Sequence, residues 1–115
     1  MGKNKILYVV ILTFCWLGSI TSADAQKKYE EIYINLPNWS VDQAYSELMD
    51  FQRLDPYFPN VYLQLGMICE RKLFNTDPLR EVETTKFWAK NAELFFGNFK
   101  VFYKEDDARH SDYYE

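Results

Sequence analysis

Pro56 and Pro59 separate two stretches of apolar residues, each recurring with the period of a helix, and this arrangement constrains the fold more than any other feature of the chain. Ahead of the prolines, Val41, Ala44, Tyr45, Leu48 and Phe51 share one helical face, with Asp42, Glu47, Asp50 and Arg53 largely outside it. Behind them, Tyr62, Leu65, Cys69 and Leu73 make a stripe that Val61 and Ile68 widen. The spacing predicts helices over about Val41 to Leu54 and Pro59 to Phe74. Ser40, with Gln43 three residues later, forms a capping-box pattern at the first start. Asp55-Pro56 ends that helix, because a residue before proline is pushed out of the helical region. Pro59 suits the opening turn of the next, where no backbone hydrogen bond is lost.

A third helix is predicted from Thr76-Asp77-Pro78 to about Phe96, ahead of Gly97-Asn98, with Val82, Thr85, Trp88, Ala89, Ala92, Phe95 and Phe96 on its inner side. Tyr29, Ile32, Tyr33 and Leu36 recur at helical spacing in Gln26 to Leu36, which fits two or three helical turns or an extended arm, broken by Leu36-Pro37-Asn38. Asn98 to Tyr103 can open a fourth helix, and Lys104 to Glu115 reads as a solvated acidic end. The fold class is therefore all-α, with three main helices and short helices allowed at either end.

Ala44, Leu48, Phe51 and Pro56, followed by Tyr62 and the pair Leu65-Gly66, are spaced like the junction of two tetratricopeptide repeats. That order resembles the A-x3-F end of one repeat, its closing proline and the W-x2-L-G opening of the next. Trp88 falls in the partner helix of the second unit, and the tract Phe87 to Ala92 also resembles the closing helix of Sel1-like repeats. The resemblance covers about residues 40–97 and is degenerate: Phe51 and Asn91 stand where the family carries small residues. It implies antiparallel helical hairpins stacked side by side, a glycine at the point where the two helices of one repeat touch, and work as a scaffold that holds another protein. Repeat arrays need about three units, so the short array implies self-association, a longer protein or a minimal bundle.

Residues 1–25 carry the layout of a secretory signal peptide: Lys3 and Lys5, then an apolar run from Ile6, then Ala23-Asp24-Ala25 as an A-x-A cleavage site before Gln26. The apolar run to Ile20 is shorter than the roughly 20 residues that span a bilayer, which favours cleavage over anchoring. Bulky Phe14 before Cys15 disfavours a lipoprotein signal. The expected organisation is a leader over 1–25, a lead segment over 26–39, a repeat-like domain over 40–97 and an acidic helix or tail over 98–115. Export follows, to the periplasm or cell envelope if the source is bacterial, with no stable membrane insertion after cleavage.

The whole chain has a formal net charge of −4, and the leader contributes +1, leaving −5 on the chain from Gln26. Lysines and arginines lie scattered among carboxylates, so the basic patch that nucleic-acid binding needs is missing from the pattern. Cys69 alone remains past the leader, which excludes an internal disulfide and points to a buried structural thiol.

The sequence offers no recognisable catalytic or phosphate-binding motif. The single histidine, His110, lies in the acidic end. Asp106, Asp107, His110 and Asp112 do not match the spacing of a calcium loop. No catalytic residue, cofactor or metal is therefore assigned. Aromatic residues make up 18% of the chain, and this excess leaves two roles open. Rings buried between helices fit a protein-binding scaffold, whereas exposed coplanar rings among Trp39, Tyr57, Trp88, Tyr103, Tyr113 and Tyr114 fit a glycan- or peptide-binding module.

Overall fold

The computed structural model describes residues 22–103. Among the described residues four α-helices follow one another: α1 (Ser22–Asn35), α2 (Val41–Leu54), α3 (Pro59–Phe74) and α4 (Val82–Phe102), with a 3-10 turn at Leu36–Asn38 between the first two. Among the described residues there is no strand, so the chain is all-α. The expected acidic end, with Tyr113 and Tyr114, lies outside the described residues, as does the leader up to Thr21.

Local chemistry sets the boundaries of α2 and α3. The Gln43 backbone N–H donates to Ser40 Oγ at 3.1 Å, satisfying one of the free donors of the first turn. Asp55 closes α2 with its backbone at φ −137°, outside the helical region, as its place before Pro56 requires. The Asp55 side chain then accepts from the Tyr57 backbone N–H, holding the turn into Pro59 at the first position of α3.

The last helix departs from expectation at both ends. Thr76-Asp77-Pro78 does not start it: Asp77 Oδ1 accepts from Leu79 N–H, and the Asp77 carbonyl accepts from the N–H groups of Arg80 and Glu81. That local turn absorbs the polar groups, and α4 begins only at Val82. Gly97-Asn98 does not stop it either. No described glycine adopts a positive φ, so the left-handed cap never forms. The helix runs through to Phe102, where the rings of Phe95 and Phe102 lie 6.4 Å and 5.6 Å from Tyr62 on α3.

The contacts between elements give the directions. Tyr62 meets Phe102 while Thr76 meets Thr85, so α3 and α4 pass antiparallel. Gln52 meets Tyr62 while Asp42 meets Lys72, so α2 and α3 do the same. The core lies where α1, α2 and α3 converge, with Ala25, Tyr29, Ile32, Ala44, Leu48, Phe51, Phe58, Val61, Leu65 and Ile68 buried. The segment expected as a short helix or an arm is therefore a full helix that supplies three core residues. Its first turn includes Ser22 to Ala25, which overlaps the expected leader.

Candidate protein-interaction scaffold

The residues that carry the repeat resemblance assemble along the middle of the bundle. Ala44, Leu48 and Phe51 are buried on α2, and Tyr62, Leu65 and Gly66 are buried on α3. Pro56 is exposed in the intervening turn, where its carbonyl accepts from the Tyr62 hydroxyl. The same hydroxyl receives a 3.4 Å hydrogen bond from Gln52 Nε2, so one phenol joins α2, the turn and α3. Burial raises the Tyr62 pKa, opposed by the Gln52 hydrogen bond and helped by nearby Asp55 and Tyr57.

Gly66 meets α4 at very close range. A Cβ placed on it would lie under 3 Å from three atoms of the Phe96 ring, a separation no ordinary side chain tolerates. The missing side chain lets that ring cover the α3 backbone.

Trp88 anchors a second junction. Its ring lies edge-on to Tyr45 of α2 at 5.7 Å, and Lys72 of α3 places its ammonium 5.7 Å from the ring centroid. The same ammonium pairs with Asp42, so α2, α3 and α4 meet around one lysine. Tyr45, half-buried there, has its pKa raised by burial and by neighbouring Cys69.

The proposed processing residues fall on α1. Ala23 is exposed, whereas Ala25 is fully buried in the core. Among the described residues, no ring contact joins two of the candidate ligand rings to each other. Trp39 packs against the core and Trp88 is half-buried. Tyr57 and Tyr103 are exposed, but Tyr57 stands at 79° to Phe102 and Tyr103 at 45° to Phe99. Among the described residues, no group of three or more His, Cys, Asp or Glu side chains gathers in a way that could hold a metal ion.

One buried pair had no sequence signal. The Tyr29 hydroxyl donates to Asn60 Oδ1 at 2.8 Å, joining α1 to the start of α3 beneath the rings of Phe51 and Phe58. Asn60, in the first turn of a helix, reads as solvent-facing; a partner 31 residues away cannot be inferred from periodicity.

Comparison with protein-family models, with curated proteins and with solved structures finds no match to this chain.

Proposed function

We propose that this chain is an exported, non-enzymatic helical scaffold of tetratricopeptide-like type that binds a protein partner in the periplasm or cell envelope. The observation that carries the reading is the contact of Gly66 with Phe96 at an antiparallel pair of helices, because it is the contact the resemblance implies for that glycine. The buried positions of Ala44, Leu48, Phe51 and Leu65 support it further. With the rings of Trp39 and Trp88 packed between elements, most of the aromatic excess serves helix packing. Sugar stacking is the less favoured use, since the exposed Tyr57 and its neighbour Phe102 are not coplanar.

The test immobilises the chain from Gln26 and passes envelope extract of the native host over it, with oligosaccharide binding followed in parallel by calorimetry. Saturable retention of a single protein species, absent from a heat-unfolded control, is the expected result. Oligosaccharide binding with no retained protein would replace the scaffold by the glycan-binding alternative.

A further inference from the structure

We infer that Gln26 is a modification site: once it becomes the first residue of the processed chain it cyclises to pyroglutamate, and the resulting neutral lactam caps α1. The inference rests on the export reading above, with cleavage after Ala25, and adds to it the fate of the new terminus.

Cleavage turns an internal residue of α1 into its first. Four of the 14 residues of the helix, Ser22 to Ala25, leave with the leader. Among them are Ala25, fully buried, and Asp24, the acidic residue of the first turn. What remains is shorter than the roughly 12–15 residues that let a helix persist alone. Its hold on the core through buried Tyr29 and Ile32 therefore has to keep it folded.

The new end also carries the wrong charge. The α-amino group of Gln26 and the side chains of Lys27 and Lys28 put positive charges on three successive residues, at the end of a helix that favours negative ones. The first carboxylate to follow is Glu30. Lys27 and Lys28 are exposed, so water screens their charges, whereas Gln26 is half-buried and its amine forms beside the place that Ala25 fills. Of the three, the α-amino charge is the one a docked helix tolerates least.

Glutamine is the residue that can remove that charge unaided. Its α-amino nitrogen, when unprotonated, attacks the side-chain carbonyl carbon Cδ. The Nα–Cδ bond forms, the Cδ–Nε2 bond breaks, and Nε2 leaves as ammonia with one proton from Nα. The ring has five members and closes with no oxidant or co-reactant. An α-amino group has an ordinary pKa of about 7.7–8.0, so a fraction is unprotonated at neutral pH. The lactam is uncharged, and closing it sacrifices no helical hydrogen bond, because the first N–H groups of a helix have no acceptor within it. Neutralisation thus offsets the loss of Asp24.

The test expresses the full chain with its own leader in an exporting host, beside Gln26→Asn, and recovers the exported product. The variant keeps an amide, but its ring would have four members, so its amine stays open. Wild type is expected to give the mass of the chain from Gln26 less one ammonia and to block Edman degradation, after incubation at neutral pH if not at recovery. Gln26→Asn is expected to keep its full mass and to be sequenced from residue 26. Its open amine is expected to lower the melting temperature by roughly 2–5 °C at low salt, a difference that shrinks in high salt as a charge set against a helix dipole requires. A wild-type product that begins at Gln26 with its amine still open after that incubation overturns the inference and leaves the leader standing. A product that begins anywhere else overturns both. Equal melting temperatures, or a difference that salt does not change, overturn the capping role.

Discussion

Phe96 lays its ring where a side chain on Gly66 would begin: a Cβ there would lie 2.6 Å from Phe96 Cε1, 2.7 Å from Cδ1 and 2.8 Å from Cζ. Leucine is the better helix former, yet it has to displace the ring before that preference counts. Gly66→Leu is therefore expected to lower stability by about 1–3 kcal/mol. In a Phe96→Ala background the obstruction is gone, and Gly66→Ala should then stabilise by about 1 kcal/mol through helix propensity. Thermal and urea melts of the four proteins check both signs. A higher melting temperature for Gly66→Leu in the wild-type background would remove the close helix approach on which the scaffold reading rests.

Tyr29 carries a hydroxyl into the most aromatic part of the core, where it donates to Asn60 Oδ1. Tyr29→Phe keeps the ring 4.7 Å from that of Phe58 while leaving the Asn60 carbonyl oxygen buried without that donor. Asn60 Nδ2 already lacks a hydrogen-bond partner among the described residues. A loss of about 1–3 kcal/mol is expected from urea unfolding, the usual penalty for a buried polar atom left unsatisfied. Tyr29→Phe combined with Asn60→Leu should recover part of that loss, because the double change removes both polar groups together. A double variant less stable than the sum of the two single changes would contradict this account.

The parts of the fold legible in the sequence are those fixed by neighbours in the chain. Ser40 with Gln43, Asp55 before Pro56, and Pro59 at a first turn each act within a few residues, and each does so here. Gly66 was legible for a different reason, since a glycine inside a strongly periodic helix demands a close neighbour. That the neighbour is Phe96 was not legible, because it depends on how far α3 and α4 slide past one another. The start of α4 misled for a physical reason: Asp77-Pro78 is equally good chemistry for a helix cap and for an isolated turn. The outcome was decided by Asp77, whose side chain took the Leu79 N–H, while Glu81 took the Asp77 N–H. Gly97 misled similarly, because contacts of Phe95 and Phe102 with Tyr62 carry the helix past it.

Ala25 is the residue after which cleavage is expected, and it is also fully buried in α1. A peptide bond inside a docked helix cannot enter a protease in extended form. Cleavage at this point therefore has to precede docking of α1 on α2 and α3. Mass spectrometry of the exported protein is expected to show a chain beginning at Gln26. Refolded full-length chain should resist signal peptidase at this bond under native conditions and be cut after unfolding. An intact Met1 on a membrane-held product would overturn the leader assignment.

Cys69 is fully buried, and burial pushes its thiol pKa from an ordinary value near 9.0 up to about 11. Two results follow. In a Cys15→Ser background, a thiol reagent at pH 8 should label Cys69 only as fast as the chain unfolds, since the folded thiol is both covered and protonated. The second result concerns stability. Between pH 9 and 11 the unfolded chain has given up this proton and the folded chain has kept it, so folding is progressively disfavoured as pH rises through that window. Stabilisation from the protonated thiol is complete below about pH 9. Tyr45 and Tyr62, whose pKa values are also raised above 10.0, contribute in the same direction at higher pH. Cys69→Ala should therefore flatten the decline between pH 9 and 10 while leaving the steeper loss above it. Urea melts across pH 8 to 11 separate the two contributions, and an unchanged slope between pH 9 and 10 in Cys69→Ala would show that the buried thiol does not govern that part of the curve.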